Sequence, residues 1–209
     1  MTLEELSNEF DVIVNSYDNS QSLVFNEYEK SIYLTKAQEY IIKELYRNYE
    51  GTEELNSYLK TLIKDKTYTI EDSTNIELDY PDNFLYILKE YANINTTCKS
   101  NNRVDVLPIT QDEYNEVVEN PFRGSKSKVL RLEENKIKLI TDLPIISYTM
   151  TYLSNPSPII LVDLPNGLTI NNESKKSTTI ETSESIHREI LDKAVQLAIQ
   201  SKTLLKSST

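Results

Sequence analysis

The residue types that most often do chemistry are sparse in this chain of 209 residues, and their spacing limits what they could do. His187 is the single histidine, and an imidazole acts as a general base only when a second group orients it. Glu184 lies close enough on the same predicted helix to form a surface pair with it, so a capping or interface role is expected rather than catalysis. Cys98, the single cysteine, sits in the polar run Thr96-Thr97-Cys98-Lys99-Ser100, away from any activating histidine, and reads as an inert thiol. One cysteine excludes an internal disulfide and a cysteine-based zinc site, which fits a reducing compartment. No Asp-x-Asp-x-Asp-Gly loop and no histidine pair at helical spacing occurs, and the glycines at 51, 124 and 167 build no phosphate-cradling loop. The carboxylates Asp112, Glu113, Glu116 and Glu119 read as a solvated helix face; nothing positive supports a two-carboxylate hydrolase. The expectation is no catalytic residue, no metal, no cofactor and no enzymatic activity.

Charge narrows the partners. The chain has 33 acidic and 22 basic residues, a net charge of -11, and residues 1–60 carry 12 acidic groups against 5 basic ones. A protein that grips nucleic acid by neutralising phosphates needs clustered Lys and Arg, so that mode is disfavoured, although a surface that DNA slides past is compatible. Against this background Arg123, Lys126, Lys128 and Arg131 form a basic loop. It reads either as a solvated approach to a strand or as a patch that docks on the acidic surface of a neighbouring copy or partner. Fourteen Tyr against 4 Phe suits half-wet interfaces, and an AT-rich codon bias explains part of that ratio. The first residues lack the charged and apolar pattern of a signal peptide, and no apolar run approaches the roughly 20 residues of a membrane span.

The element around which the rest is organised is a predicted helix from Glu184 to Leu205. Ile186, Ile190, Ala194, Leu197 and Ser201, flanked by Leu191, Val195 and Ala198, fall on one face, with Ser183 or Ser185 as the cap. That apolar face needs a partner. At the other end of the chain, residues 2–17 form a helix with Leu3, Leu6, Phe10, Ile13 and Tyr17 on one side and a Thr2–Glu5 capping box. A second helix is placed from a capping box at Thr35-Lys36-Ala37-Gln38 to about Tyr49, with Phe25–Leu34 extending it or approaching it as loop, and a third over Glu53–Lys64. From there the period changes to alternation. Strands are expected over Tyr68–Tyr80, Val104–Leu107 (closed by Pro108), Ile145–Leu153, with Ile146, Tyr148, Met150 and Tyr152 on one face, and Ile159–Leu164; the pattern of Phe84–Ile94 fits strand or helix, and its aromatic and β-branched content favours strand. Val129–Leu132 and Lys136–Ile140 read as a hairpin, and a short helix starts at the Thr110–Glu113 capping box. The polar tract Asn166–Glu184 reads as loop.

The class is therefore α+β: a helical layer built from the N-terminal helices and the C-terminal helix, with an inserted, mostly antiparallel β sub-domain. The expected divisions are 1–64 (helical), 65–165 (β), 166–183 (polar linker) and 184–206 (the C-terminal helix packing back on the first helices).

Several segments, in order, resemble one family. Glu27-Tyr28-Glu29-Lys30-Ser31, Leu34-Thr35-Lys36-Ala37-Gln38, Asn120-Pro121-Phe122, Val129-Leu130-Arg131-Leu132, Pro156-Ser157-Pro158-Ile159-Ile160-Leu161 and His187-Arg188-Glu189-Ile190-Leu191-Asp192-Lys193-Ala194-Val195 are similar to the head-to-tail connector, or ring, proteins of crAss-like tailed bacteriophages. The resemblance implies a non-enzymatic virion protein of the neck, assembled as a ring of twelve copies, joining the capsid portal to the tail and adjacent ring proteins and continuing the DNA channel without sequence-specific binding or membrane contact. On that reading the basic loop, with Arg123, Lys126, Lys128 and Arg131, is the expected contact with the next subunit or ring, and His187 and Arg188 are expected to be structural or interfacial. The other reading of the same sequence is a virion-associated binding module that recognises a glycan or protein through its β region.

Overall fold

The computed structural model describes residues 1–17, 24–48, 53–96, 101–119, 128–165, 167–171 and 176–207. Helices and strands fall where the α+β class puts them, in two compact units: Met1–Leu62 together with Asn155–Thr209, and Ile63–Ser154.

The first unit is helical. It holds α1 (Leu3–Tyr17), α2 (Glu27–Arg47), α3 (Glu53–Leu59) and, after a 3-10 turn at Glu184–Ile186, α5 (His187–Ser207). Leu6, Phe10 and Val14 of α1 and Leu34 and Ala37 of α2 pack with Ile190, Leu191, Ala194, Val195 and Ala198 of α5. The apolar face of the last helix is thus covered by the first two, as its periodicity demands. The Thr2–Glu5 capping box is present in both directions, at 2.7 and 3.2 Å. Ser183, by contrast, makes no cap bond, because its hydroxyl pairs with that of Ser185 at 2.8 Å.

Two expectations here need correction. The second helix starts at Glu27, where Asn26 and Glu29 form the capping box, and Thr35 lies deep inside it. The Thr35–Gln38 pattern imitates a cap; both side chains are instead committed to a tertiary contact, described below. The third helix is shorter than predicted because Ile63 already begins a strand.

The second unit is a five-stranded sheet of β1 (Ile63–Leu78), β2 (Phe84–Ile94), β3 (Asn102–Ile109), β4 (Val129–Glu133) and β5 (Ile137–Ser154). β5 joins what the sequence suggests are two pieces, the second arm of the hairpin and the Ile145–Leu153 strand. β2 pairs with its C-terminal half and β4 with its N-terminal half, and β3 links β2 to β4, so the pairings β5–β2–β3–β4–β5 close on themselves. β1 runs antiparallel along both halves of β5.

A bulge makes this possible. Asn93 opposes Ser147 but Ile94 opposes Ile145, which leaves Ile146 as the extra residue. Ile137, Leu139 and Ile145 are buried before it and Tyr148, Met150 and Tyr152 after it, all in one cluster. An extra residue is what lets odd and then even positions face the same core. Ile145, not Ile146, therefore belongs to the buried face.

β3 and β4 are parallel and are joined through α4 (Gln111–Glu119), as a parallel pair requires a crossover. Val117 and Tyr114 of α4 pack on Ile109, Leu130 and Leu132, the sheet face opposite the main cluster. Pro108 lies inside β3 rather than ending it. Among the described residues that half of β3 is paired only with β4, so a proline nitrogen turned to the other edge removes no ladder bond.

Candidate functional site

Most of the segments that carry the resemblance meet in the helical unit, around a stretch predicted as a strand. Ile159–Leu164 is not a strand: the chain bends at Leu161 and Val162, and the segment pairs with no strand among the described residues. Its backbone is satisfied by side chains. From α2, Ser31 Oγ accepts from the Leu161 N–H at 3.0 Å. Thr35 Oγ1 accepts from the Ile159 N–H at 3.1 Å and donates to the Ile159 carbonyl at 3.3 Å. Gln38 Nε2 donates to the Ser157 carbonyl at 3.0 Å. These three residues recur at helical spacing on one face of α2, so the helix presents a row of side-chain hydrogen-bonding groups.

The intervening residues bond on the opposite side. Thr178 Oγ1 accepts from the Ile160 N–H at 3.0 Å and donates to the Pro158 carbonyl at 2.6 Å, and the Thr178 N–H donates to the Ile160 carbonyl at 3.2 Å. The apolar run predicts a strand here; the structure corrects this, because a helix and a loop take the hydrogen-bonding places of neighbouring strands. The polar tract thus has a structural part, reinforced by Asp163 accepting from the Ser177 N–H and by Glu181 holding Ser157.

Lys30, in the first of these segments, is also buried. Its ammonium lies 2.6 Å from Asp11, 2.9 Å from Glu27 and 3.0 Å from Ser7 Oγ, tying α1 to α2. Burial is the largest influence and lowers its pKa, but the two carboxylates outweigh it and the net shift is upward. Lys30 stays charged.

His187 occupies the start of α5 and is buried. Nε2 lies 3.0 Å from the Thr182 carbonyl and Nδ1 lies 3.2 Å from the Met1 ammonium. A carbonyl can only accept, so Nε2 carries the proton and Nδ1 accepts from the ammonium. Burial, with the nearby positive charge, holds the imidazole below its ordinary pKa despite the Thr182 bond and Glu184. This is a neutral, structural histidine. Next to it Arg188 is exposed, with Glu9 at 2.8 Å and Asp192 at 3.6 Å.

The basic loop is divided by the structure. Arg123 and Lys126 lie outside the described residues, as does Cys98, and Lys128 is exposed. Arg131 is interior. Its Nε lies 3.0 and 2.9 Å from the two Glu90 oxygens, and the Tyr148 hydroxyl donates to Glu90 at 2.7 Å. Burial works against the Arg131 charge, but Glu90 overcomes it and the guanidinium pKa is raised; burial followed by Glu90 also raises the Tyr148 phenol. The structure therefore brings neither Arg131 nor His187 to the surface, and only Lys128 and Arg188 of the six residues are exposed in the described part of the chain.

Two surface features were not legible in advance. An open groove of about 710 Å³ runs between α1, α2 and α5, floored by Ile13, Ile41, Val195 and Ile199 and rimmed by Glu189 and Asp192. Beside it Lys193 sits 4.0 Å over the ring of Tyr40. Among the described residues no group of His, Cys, Asp or Glu is arranged to hold a metal, and no described helix is long and apolar enough to cross a membrane.

This arrangement is one of packing and interlocked hydrogen bonds, and the comparison with known proteins gives its family. The model of the phage tail ring protein 3/4 family matches residues 1–209. The chain belongs to that family. It is 37% identical over 230 residues to Ring protein 3 of Bacteroides phage crAss001, covering 98% of both proteins. It is 29% identical over 234 residues to Ring protein 4/5 of the same phage, covering 95% of this chain and 92% of the relative. The ring family thus accounts for the ordered segments noted in the sequence.

Proposed function

We propose that this protein is a non-enzymatic structural component of a phage virion, closing into a ring in the neck that joins the capsid portal to the tail and continues the DNA channel. The observation that carries the reading is the family match along the entire chain, with Ring protein 3 as a near full-length relative. The inferred copy number is twelve, to match the portal; the partners are further copies of the chain, the portal and adjacent ring proteins. A ring needs head-to-tail contact, in which two different patches of one molecule complement each other. Exposed Lys128 and Arg188, with the basic loop, supply positive groups in a protein of net charge -11. The remaining acidic excess disfavours adhesion of DNA phosphates, so DNA passes without being held.

A cryo-electron microscopy map of the purified virion neck tests this. The expected result is a closed ring of this chain stacked on the portal axis. Density for the neck without this chain would overturn the reading.

A further inference from the structure

In the closed circuit each of β2, β3, β4 and β5 lies between two other strands. β1 stands outside it: it pairs with β5 and, among the described residues, with no other strand. In an antiparallel ladder successive residues turn their N–H and C=O groups alternately to the two edges, so half of the β1 backbone groups point away from β5. From Ile63 to Thr69 the pairing runs without a register shift, opposite Leu153 to Ser147. This run has no proline or glycine to interrupt an added strand.

The side chains of the run say what it would accept. Lys64 lies opposite Tyr152 and Lys66 opposite Met150, so both project on the face of the sheet that carries the core cluster. Asp65, Thr67 and Thr69 project on the other face. All five are exposed. Asp65 accepts from the Thr151 hydroxyl at 2.5 Å, and Thr67 bonds Thr149 at 3.0 Å. Among the described residues Lys64 and Lys66 belong to no ion pair; the Lys66 ammonium lies 5.6 Å from the centre of the Tyr68 ring. In a chain of net charge -11 these are two unneutralised cations on one open edge.

Lysines on an edge discourage pairing, but they do so selectively. A second β1 laid antiparallel along this run, centred on Lys66, would set Lys66 against Lys66 and build a two-fold dimer instead of a ring. The other strands of a second copy each already lie between two neighbours. A strand with carboxylates opposite Lys64 and Lys66 meets neither obstacle, because cross-strand pairs of opposite charge are favourable.

We propose that the outer edge of β1, Ile63–Thr69, receives an extended acidic segment of a different virion protein adjoining the ring, which adds a strand to the sheet and sets Asp or Glu at alternate positions against Lys64 and Lys66. The inference rests on the ring reading above, which brings such a protein within reach. Main-chain hydrogen bonds along the edge supply affinity, and the two lysines choose the partner.

The neck map tests this as well as the ring. A strand of another protein should lie about 4.8 Å from β1, on the side away from β5, with carboxylates opposite Lys64 and Lys66. A ring whose β1 edge is bare, is covered by a second copy of this chain, or carries a strand without those carboxylates would overturn the inference and leave the ring reading intact. A neck without this chain would overturn both. Incorporation of variants into virions gives a second readout. Both lysines are exposed, so the double variant Lys64→Glu/Lys66→Glu should melt like the wild type yet be incorporated roughly tenfold less, as two attractive pairs become repulsive. Lys64→Arg/Lys66→Arg, which keeps the charge, should be incorporated normally. Normal incorporation of the folded glutamate variant, or an equal loss in the arginine variant, would refute the proposal.

Discussion

The Glu90–Arg131–Tyr148 network makes a sharp prediction, because it is a charge pair inside an otherwise apolar cluster. Both side chains of the ion pair are less than 10% exposed, at 6% for Glu90 and 8% for Arg131. One N–H of the guanidinium, shared between both carboxylate oxygens, and one bond from a phenol satisfy the carboxylate. Removing either charge leaves the other buried without compensation, which costs about 3–5 kcal/mol. Glu90→Leu and Arg131→Met should each lose that much. The double variant should lose far less than the sum, since a buried pair replaced by apolar groups of similar volume is often neutral or better. Tyr148→Phe, which removes one hydrogen bond to a charged group, should cost about 1.5–3 kcal/mol. The assay is urea unfolding followed by near-ultraviolet circular dichroism, which reports the packed tyrosines, with the four proteins of the cycle compared at one pH. Additive losses below about 1 kcal/mol for each single variant would refute the reasoning, because they would mean that water reaches the pair.

Three further outcomes are expected. Thr35→Val keeps shape but leaves the buried N–H and C=O of Ile159 unpaired, and should cost about 2–4 kcal/mol in a denaturant titration; a loss under about 0.5 kcal/mol would show that the segment finds other partners. Because burial holds the folded His187 below its ordinary value of 6.5, the unfolded chain binds the extra proton first, so stability is full above that pH and falls as pH drops below it. This component should vanish in His187→Gln, measured as stability against pH from 8 to about 5; a wild-type profile as flat as the variant's would count against it. Lys30→Ala should cost about 1–3 kcal/mol and loosen α1 first, seen as faster amide exchange over Leu3–Tyr17 than in the rest of the unit. Uniform exchange along both helices would contradict the role given to Lys30.

Much of the architecture was legible because it depends on local periodicity. The three-and-four spacing in α1 and α5, the Thr2–Glu5 and Thr110–Glu113 boxes and the aromatic and β-branched content of β2 each report a choice that a short window of chain makes by itself. The misread features depend on partners distant in sequence. Thr35 looked like a cap because Thr-x-x-Gln is one, until Ile159 claims its hydroxyl. Arg131 looked like a surface charge because its companions in the loop are basic, and Glu90, 41 residues away, makes it interior. The burial of His187 and its contacts with Thr182 and Met1 were not legible, because they join the start of α5 to groups outside its own window.

The sequence by itself determined the α+β class, the pairing of chain ends through amphipathic helices and, through its ordered motifs, the ring family. Those are properties of hydrophobic period and residue order, which are present before any folding. Only the tertiary structure decided the circular strand pairing, the bulge at Ile146 and the segment Ile159–Leu164 held by α2 and Thr178. Each is a hydrogen-bond assignment between distant residues, and backbone groups look alike in every sequence until the fold shows which ones find a partner.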